Sequence, residues 1–109
     1  MEFKDLLKFI KIEDKRLKKR FGGYDDQYKR ILARTVKLTE ELGELCDAVL
    51  AHNSWQRKQK MDKHDKENLP EEFADVVITA LLLAKAMDVD IEKALEKKIK
   101  KINNRYKNK

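Results

Sequence analysis

The sequence predicts an all-α fold, four helices in one bundle. Three observations carry this. Only three glycines and one proline occur in 109 residues, so little interrupts a helix. Apolar residues recur at three- and four-residue spacing through most of the chain. Charged residues make up 42% against 41% hydrophobic, which suits long helices with solvated outer faces, or a protomer that completes its core against a partner chain. The length allows one domain, residues 1–109.

The first helix is expected over Phe3 to Arg20, with Phe3, Leu6, Leu7, Ile10 and Leu17 as its apolar stripe. Phe21-Gly22-Gly23 ends it, with glycine available for a left-handed cap. The second is expected from Asp25 or Asp26 to about Asn53. Asp25 and Asp26 supply acceptors and favourable charge at its start. Leu38, Leu42, Leu45 and Val49 fall at i, i+4, i+7 and i+11 and predict one buried face. From Ser54 to Leu69 the pattern breaks down, and a loop is expected. Pro70 should start the third helix, about 70–87, because proline suits the first turn. Glu71 and Glu72 would then lie where the helix dipole favours them. Phe73, Val76, Val77, Ala80, Ala84 and Met87 form its expected stripe. Asp90 is placed to cap the fourth helix, Ile91 to about Arg105, with Leu95, Ile99, Ile102 and Tyr106 on one side. Residues 106–109 make a short basic tail.

Net charge is +6, from 26 Lys+Arg and 20 Asp+Glu. This would attract nucleic acid, nucleotides or phosphate groups. A solvated Lys/Glu surface accounts for the bulk of it more simply. Cys46 stands alone, which excludes an intrachain disulfide and suits a reducing cytosol. Its apolar surroundings predict a buried thiol. The opening MEFKDLLKFIKIEDKRLKKR has no signal-peptide core, and no apolar run is long enough to span a membrane. A cytoplasmic protein is expected.

The chemically informative residues lie on the second and third helices. Glu41 and Glu44 are three residues apart, as are Glu72 and Asp75. That spacing puts each pair on one helix face, beside an apolar stripe. If the two helices pack antiparallel, four carboxylates converge. Such a group repels itself and is costly to desolvate, so it calls for cations. Oxygen ligands alone point to Mg²⁺ or Mn²⁺, which also bind phosphate oxygens. A di-iron bundle site would need Glu-x-x-His. Here Val49 and Met61 stand three residues before His52 and His64, so that reading fails.

The run Lys37-Leu38-Thr39-Glu40-Glu41-Leu42-Gly43-Glu44-Leu45 resembles the signature helix of MazG-like nucleotide pyrophosphohydrolases. Glu71-Glu72-Phe73-Ala74-Asp75-Val76-Val77 resembles its second half. The family pattern is ExxE, a couple of dozen residues, then ExxD; here 27 residues, 45 to 71, intervene. The basic ending, Lys98 to Tyr106, is similar to the last helix of many members, although Lys107 stands where many have proline. The resemblance covers about Lys37 to Tyr106.

It implies an all-α, four-helix MazG-like bundle completed by dimerisation, as a homodimer or a dimer of dimers. It implies cleavage of a nucleoside triphosphate between the α and β phosphates, giving a monophosphate and pyrophosphate. Glu41, Glu44, Glu72 and Asp75 would hold Mg²⁺, and Glu41 or Glu44 would accept a proton from the attacking water. Lys37, Lys98, Lys101, Asn104 and Arg105 are the expected phosphate contacts. Trp55 and Tyr24 are the expected base contacts, by stacking. Nucleotide-pool housecleaning is the role this suggests. Phosphoribosyl-ATP is the competing substrate. A basic nucleic-acid-binding module has charge in its favour but no helix-turn-helix signature, and acidic pairs that would repel a phosphate backbone. A purely structural bundle would leave the carboxylates as surface charge.

Overall fold

The computed structural model describes residues 1–21, 26–53 and 63–107, with 63–67 as backbone only. Four helices follow in order: α1 Phe3–Arg20, α2 Gln27–His52, α3 Lys63–Ala86 and α4 Ile91–Asn104. No strand occurs among the described residues.

Helix ends follow local chemistry. Glu2 and Asp5 form a reciprocal capping box on α1. The Asp26 carboxylate accepts from the Tyr28 and Lys29 amides at 2.9 and 3.4 Å. Asp90 accepts from the Lys93 amide at 3.1 Å and starts α4 as expected. Gly22, Gly23 and Asp25 lie outside the described residues.

The start of α3 corrects the expected boundary. The helix begins at Lys63 and contains Pro70 in its interior. Lys, Glu and Leu are good helix formers, and residues 63–69 contain no glycine or β-branched residue to stop the helix. Proline there removes the N–H that would reach the Lys66 carbonyl, at a cost of about 3 kcal/mol. Glu71 and Glu72 therefore sit mid-helix, beyond the reach of the N-terminal dipole.

α2 and α3 form the main pairing, and α1 packs on α3. Gln27 Nε2 donates to the Ala86 carbonyl at 3.0 Å, and Arg34 Nη1 to the Leu82 carbonyl at 2.8 Å. Residue numbers rise along α2 as they fall along α3, so the two run antiparallel.

The buried faces differ from the expected stripes. On α3 the covered residues include Thr79, Leu81, Leu82 and Ala86, while Phe73, Val77 and Met87 are half or more exposed. On α2 the buried residues are Arg30, Arg34, Glu41 and Ala51, and Leu42 is exposed. Cys46 is exposed, not buried. α4 has no buried residue, and Leu95, Ile99, Ile102 and Tyr106 are all open. The reason is common to all. Periodicity shows that a helix has an apolar face, but the neighbour decides which face is covered, and α3 carries two.

Charge is buried between the helices. Arg34 Nη2 stands 2.8 Å from Asp14 Oδ1, and Lys18 Nζ 3.0 Å from Asp14 Oδ2. Burial alone would raise the Asp14 carboxyl, but Lys18 and Arg34 outweigh it and hold it below the usual carboxylate range. Asp14 continues the α1 stripe four residues after Ile10, beside the small core of Ile10, Leu81 and Leu82.

Two outcomes follow. Arg34→Met leaves the Asp14 carboxylate with Lys18 as its one ion pair among the described residues, frees the Leu82 carbonyl, and should destabilise by about 1–3 kcal/mol in urea unfolding. Pairing it with Asp14→Asn should recover part of that loss. Because the folded pKa of Asp14 lies below its unfolded value of about 3.9, its stabilisation is present above that pH. It is lost as pH falls through the folded value. Asp14→Asn should flatten the acid limb of stability against pH.

Candidate metal centre

Antiparallel packing carries Glu41 of α2 against Glu72 and Asp75 of α3. One carboxylate oxygen from each lies within 4.8 Å of the others. Glu41 is buried, at 7% exposure, and the other two are half-buried. Glu41 Oε2 and Glu72 Oε2 are buried and accept no hydrogen bond from the described residues. A buried acceptor without a donor costs about 1–3 kcal/mol, more when charged. This donor set fits a hard divalent cation, all oxygen, anionic and unsatisfied.

Glu44, one turn beyond Glu41, stands outside the three-oxygen group and is exposed. Its charge still reaches Glu72. Burial, then the charges of Glu44, Asp75, Glu41 and Glu71, push the Glu72 carboxyl up. Burial, then Glu41 and Glu71, raise Asp75, with Lys37 opposing. Among the described residues, Lys37 is the cation at the cluster's edge. Its Nζ lies 3.2 Å from Glu41 Oε1 and 3.6 Å from Glu40 Oε2. The Glu41 hydrogen bond, and then its charge, hold Lys37 above the usual lysine range.

The other expected contacts lie elsewhere. Lys98, Lys101, Asn104 and Arg105 are exposed on or just beyond α4, whose first residue, Ile91, packs against the core of Ile10, Leu81 and Leu82. Trp55 and Tyr24 lie outside the described residues. Arg34 was not singled out by the sequence reading. Its signal was there: it shares a helix face with Leu38 and Glu41, four and seven residues on.

Residues 30–109 match the MazG nucleotide pyrophosphohydrolase domain. The chain belongs to the MazG nucleotide pyrophosphohydrolase family. In Bacillus subtilis (strain 168), the protein named Uncharacterized protein YpjD is 34% identical over 86 residues, which is 79% of this chain and 76% of that one. No solved structure matches. No helix of the described residues is long and apolar enough to cross a membrane. In this MazG chain, both acidic motifs fall within the matched region, which takes in α3 and all of α2 from Arg30 onward.

A cation should stabilise the cluster it neutralises. At about 100 times its dissociation constant the expected gain is about 2.7 kcal/mol, read as a rise in Tm reversed by chelator. Glu72→Gln should raise Tm in metal-free buffer at neutral pH, by removing repulsion, and abolish most of the cation's effect.

Proposed function

We propose that the protein is a Mg²⁺-dependent nucleoside triphosphate pyrophosphohydrolase, with Mn²⁺ as a substitute. It splits the triphosphate between the α and β phosphates to a nucleoside monophosphate and pyrophosphate. The observation that carries this is the convergence of Glu41, Glu72 and Asp75 with two buried oxygens unpaired, in a chain of this family.

When bound, the cation supplies neutralisation of the triphosphate and a lowered pKa for water. Glu41, Glu72 and Asp75 hold it, with Glu44 completing the set from solvent. Glu41 or Glu44 would take the proton of the attacking water. Lys37 meets negative charge on the Glu41 side of the centre. In so acidic a site it orients Glu41 as well as contacting phosphate.

A second copy completes the site. Phe73 and Val77 on α3 and Leu42 on α2 form an apolar surface beside the carboxylates, half exposed in one chain. Burying it in a homodimer, or a dimer of dimers, supplies the core that one protomer lacks. It also brings α4, with Lys98, Lys101, Asn104 and Arg105, toward a partner's substrate. Removal of unwanted triphosphates from the cytoplasmic nucleotide pool is the role such chemistry serves.

The reaction is tested by pyrophosphate release from ribo- and deoxyribonucleoside triphosphates, canonical and modified, with and without Mg²⁺. Mg²⁺-dependent release of monophosphate and pyrophosphate is expected, with kcat reduced about 10²- to 10⁴-fold by Glu44→Gln. A folded protein that releases none from any triphosphate would sink the proposal and turn attention to phosphoribosyl-ATP. Sedimentation should give a dimer or tetramer for the wild type, and Val77→Asp should shift it toward monomer.

A further inference from the structure

Beside the carboxylates lies a cleft of about 640 Å³ between α1, α2 and α3. It falls in the size range of small-molecule sites. Two of its lining residues tie it to the metal centre. Lys37 lines the cleft and bonds Glu41 at 3.2 Å. Thr79 lines it too, one turn from Asp75, whose carbonyl accepts its hydroxyl hydrogen at 2.6 Å. One turn is about 5.4 Å along a helix, so the cleft wall on α3 begins one turn from Asp75. A triphosphate held there by its phosphates has its sugar and base one such step away.

We propose that this cleft holds the nucleoside of the substrate, with Phe21 stacking on the base and Glu13 accepting from an amino group on it. The assignment rests on the pyrophosphohydrolase reading for its ligand, and on the cleft itself for its place. Leu17, Ala33, Val36 and Leu82 give it apolar walls. Phe21, 45% exposed, stands at its edge with the Arg20 guanidinium 5.6 Å from the centre of one ring face, and a base would stack on the opposite face. The polar lining offers two carboxylates, Glu13 and Glu40. Its cations are engaged, Arg34 with Leu82 and Asp14 and Lys37 with Glu40 and Glu41, and Thr79 has spent its hydrogen. Glu40 is paired with Lys37, whereas half-buried Glu13 has, among the described residues, a long 3.5 Å pair to exposed Arg16, which solvent weakens. A carboxylate accepts and cannot donate. An amino-bearing base suits it, whereas uracil presents a carbonyl at the same position. Glu13, Leu17 and Phe21 all precede residues 30–109, so the family match assigns them nothing.

Cytidine and uridine monophosphates, which differ at that one group, are the probes. Each is titrated into the full chain while the methyl NMR signals of Leu17, Val36 and Leu82 are followed. CTP and UTP hydrolysis is compared in parallel. The cytidine compound should shift these methyls and bind about 10- to 100-fold more tightly, with KM for the triphosphates following the same order. Glu13→Gln, which adds a donor, should narrow or reverse the ratio. Phe21→Ala should weaken both ligands, and Ala33→Phe should block both in a protein whose circular dichroism shows it folded. Methyls unmoved by either probe, or an unchanged ratio in Glu13→Gln, would overturn the assignment even if triphosphates are hydrolysed. Methyl shifts with the expected ratio and no hydrolysis would keep the cleft and refute the reaction.

Discussion

The guanidinium of Arg34 sets the register on which the rest depends. It reaches the α3 backbone at Leu82 and the α1 carboxylate of Asp14 from the middle of α2. Glu41 lies seven residues further along α2, and Asp75 seven residues back along α3. Two turns on each antiparallel helix cover nearly equal distances, so fixing Arg34 at Leu82 brings Glu41 to Asp75. A slip by one residue would rotate the acidic face by about 100° and scatter the cluster. The buried ion pair is poor evidence of net stability, since desolvation offsets its attraction. Its directional hydrogen bond to a backbone carbonyl supplies positional definition that apolar packing, tolerant of sliding, supplies less well.

The carboxylate cluster opposes folding. Burial and mutual repulsion push Glu72 and Asp75 up, and Lys37 partly opposes the rise at Asp75. Without function such a site would be an unexplained defect. Three carboxylates from two antiparallel helices converge there without help from a loop. Pro70 within α3 is a second local cost, and it falls just before Glu72.

The single chain buries little. Its fully buried apolar residues are few, while whole stripes on α3 and α4 remain open. The cleft beside the centre uses the third partner, α1, which closes one wall and adds Glu13, Leu17 and Phe21.

Much was legible in the sequence. Glycine and proline scarcity and apolar spacing determined the helical class, the apolar stripe and Phe21-Gly22-Gly23 bounded α1, and Asp90, a cap that acts locally, fixed the start of α4. The spacing of Glu41 with Glu44, and of Glu72 with Asp75, determined that each pair shares a face, because helical geometry is local. The start of α3 was missed because a favourable run of helix formers outweighed the usual position of proline. Only the tertiary structure decided which faces are covered, that Glu41 joins Glu72 and Asp75 while Glu44 stands outside, and that Arg34 and Asp14 are buried together. Those outcomes depend on the rotation and register of one helix against another. They are set by contacts between residues far apart in the chain, on which local periodicity is silent.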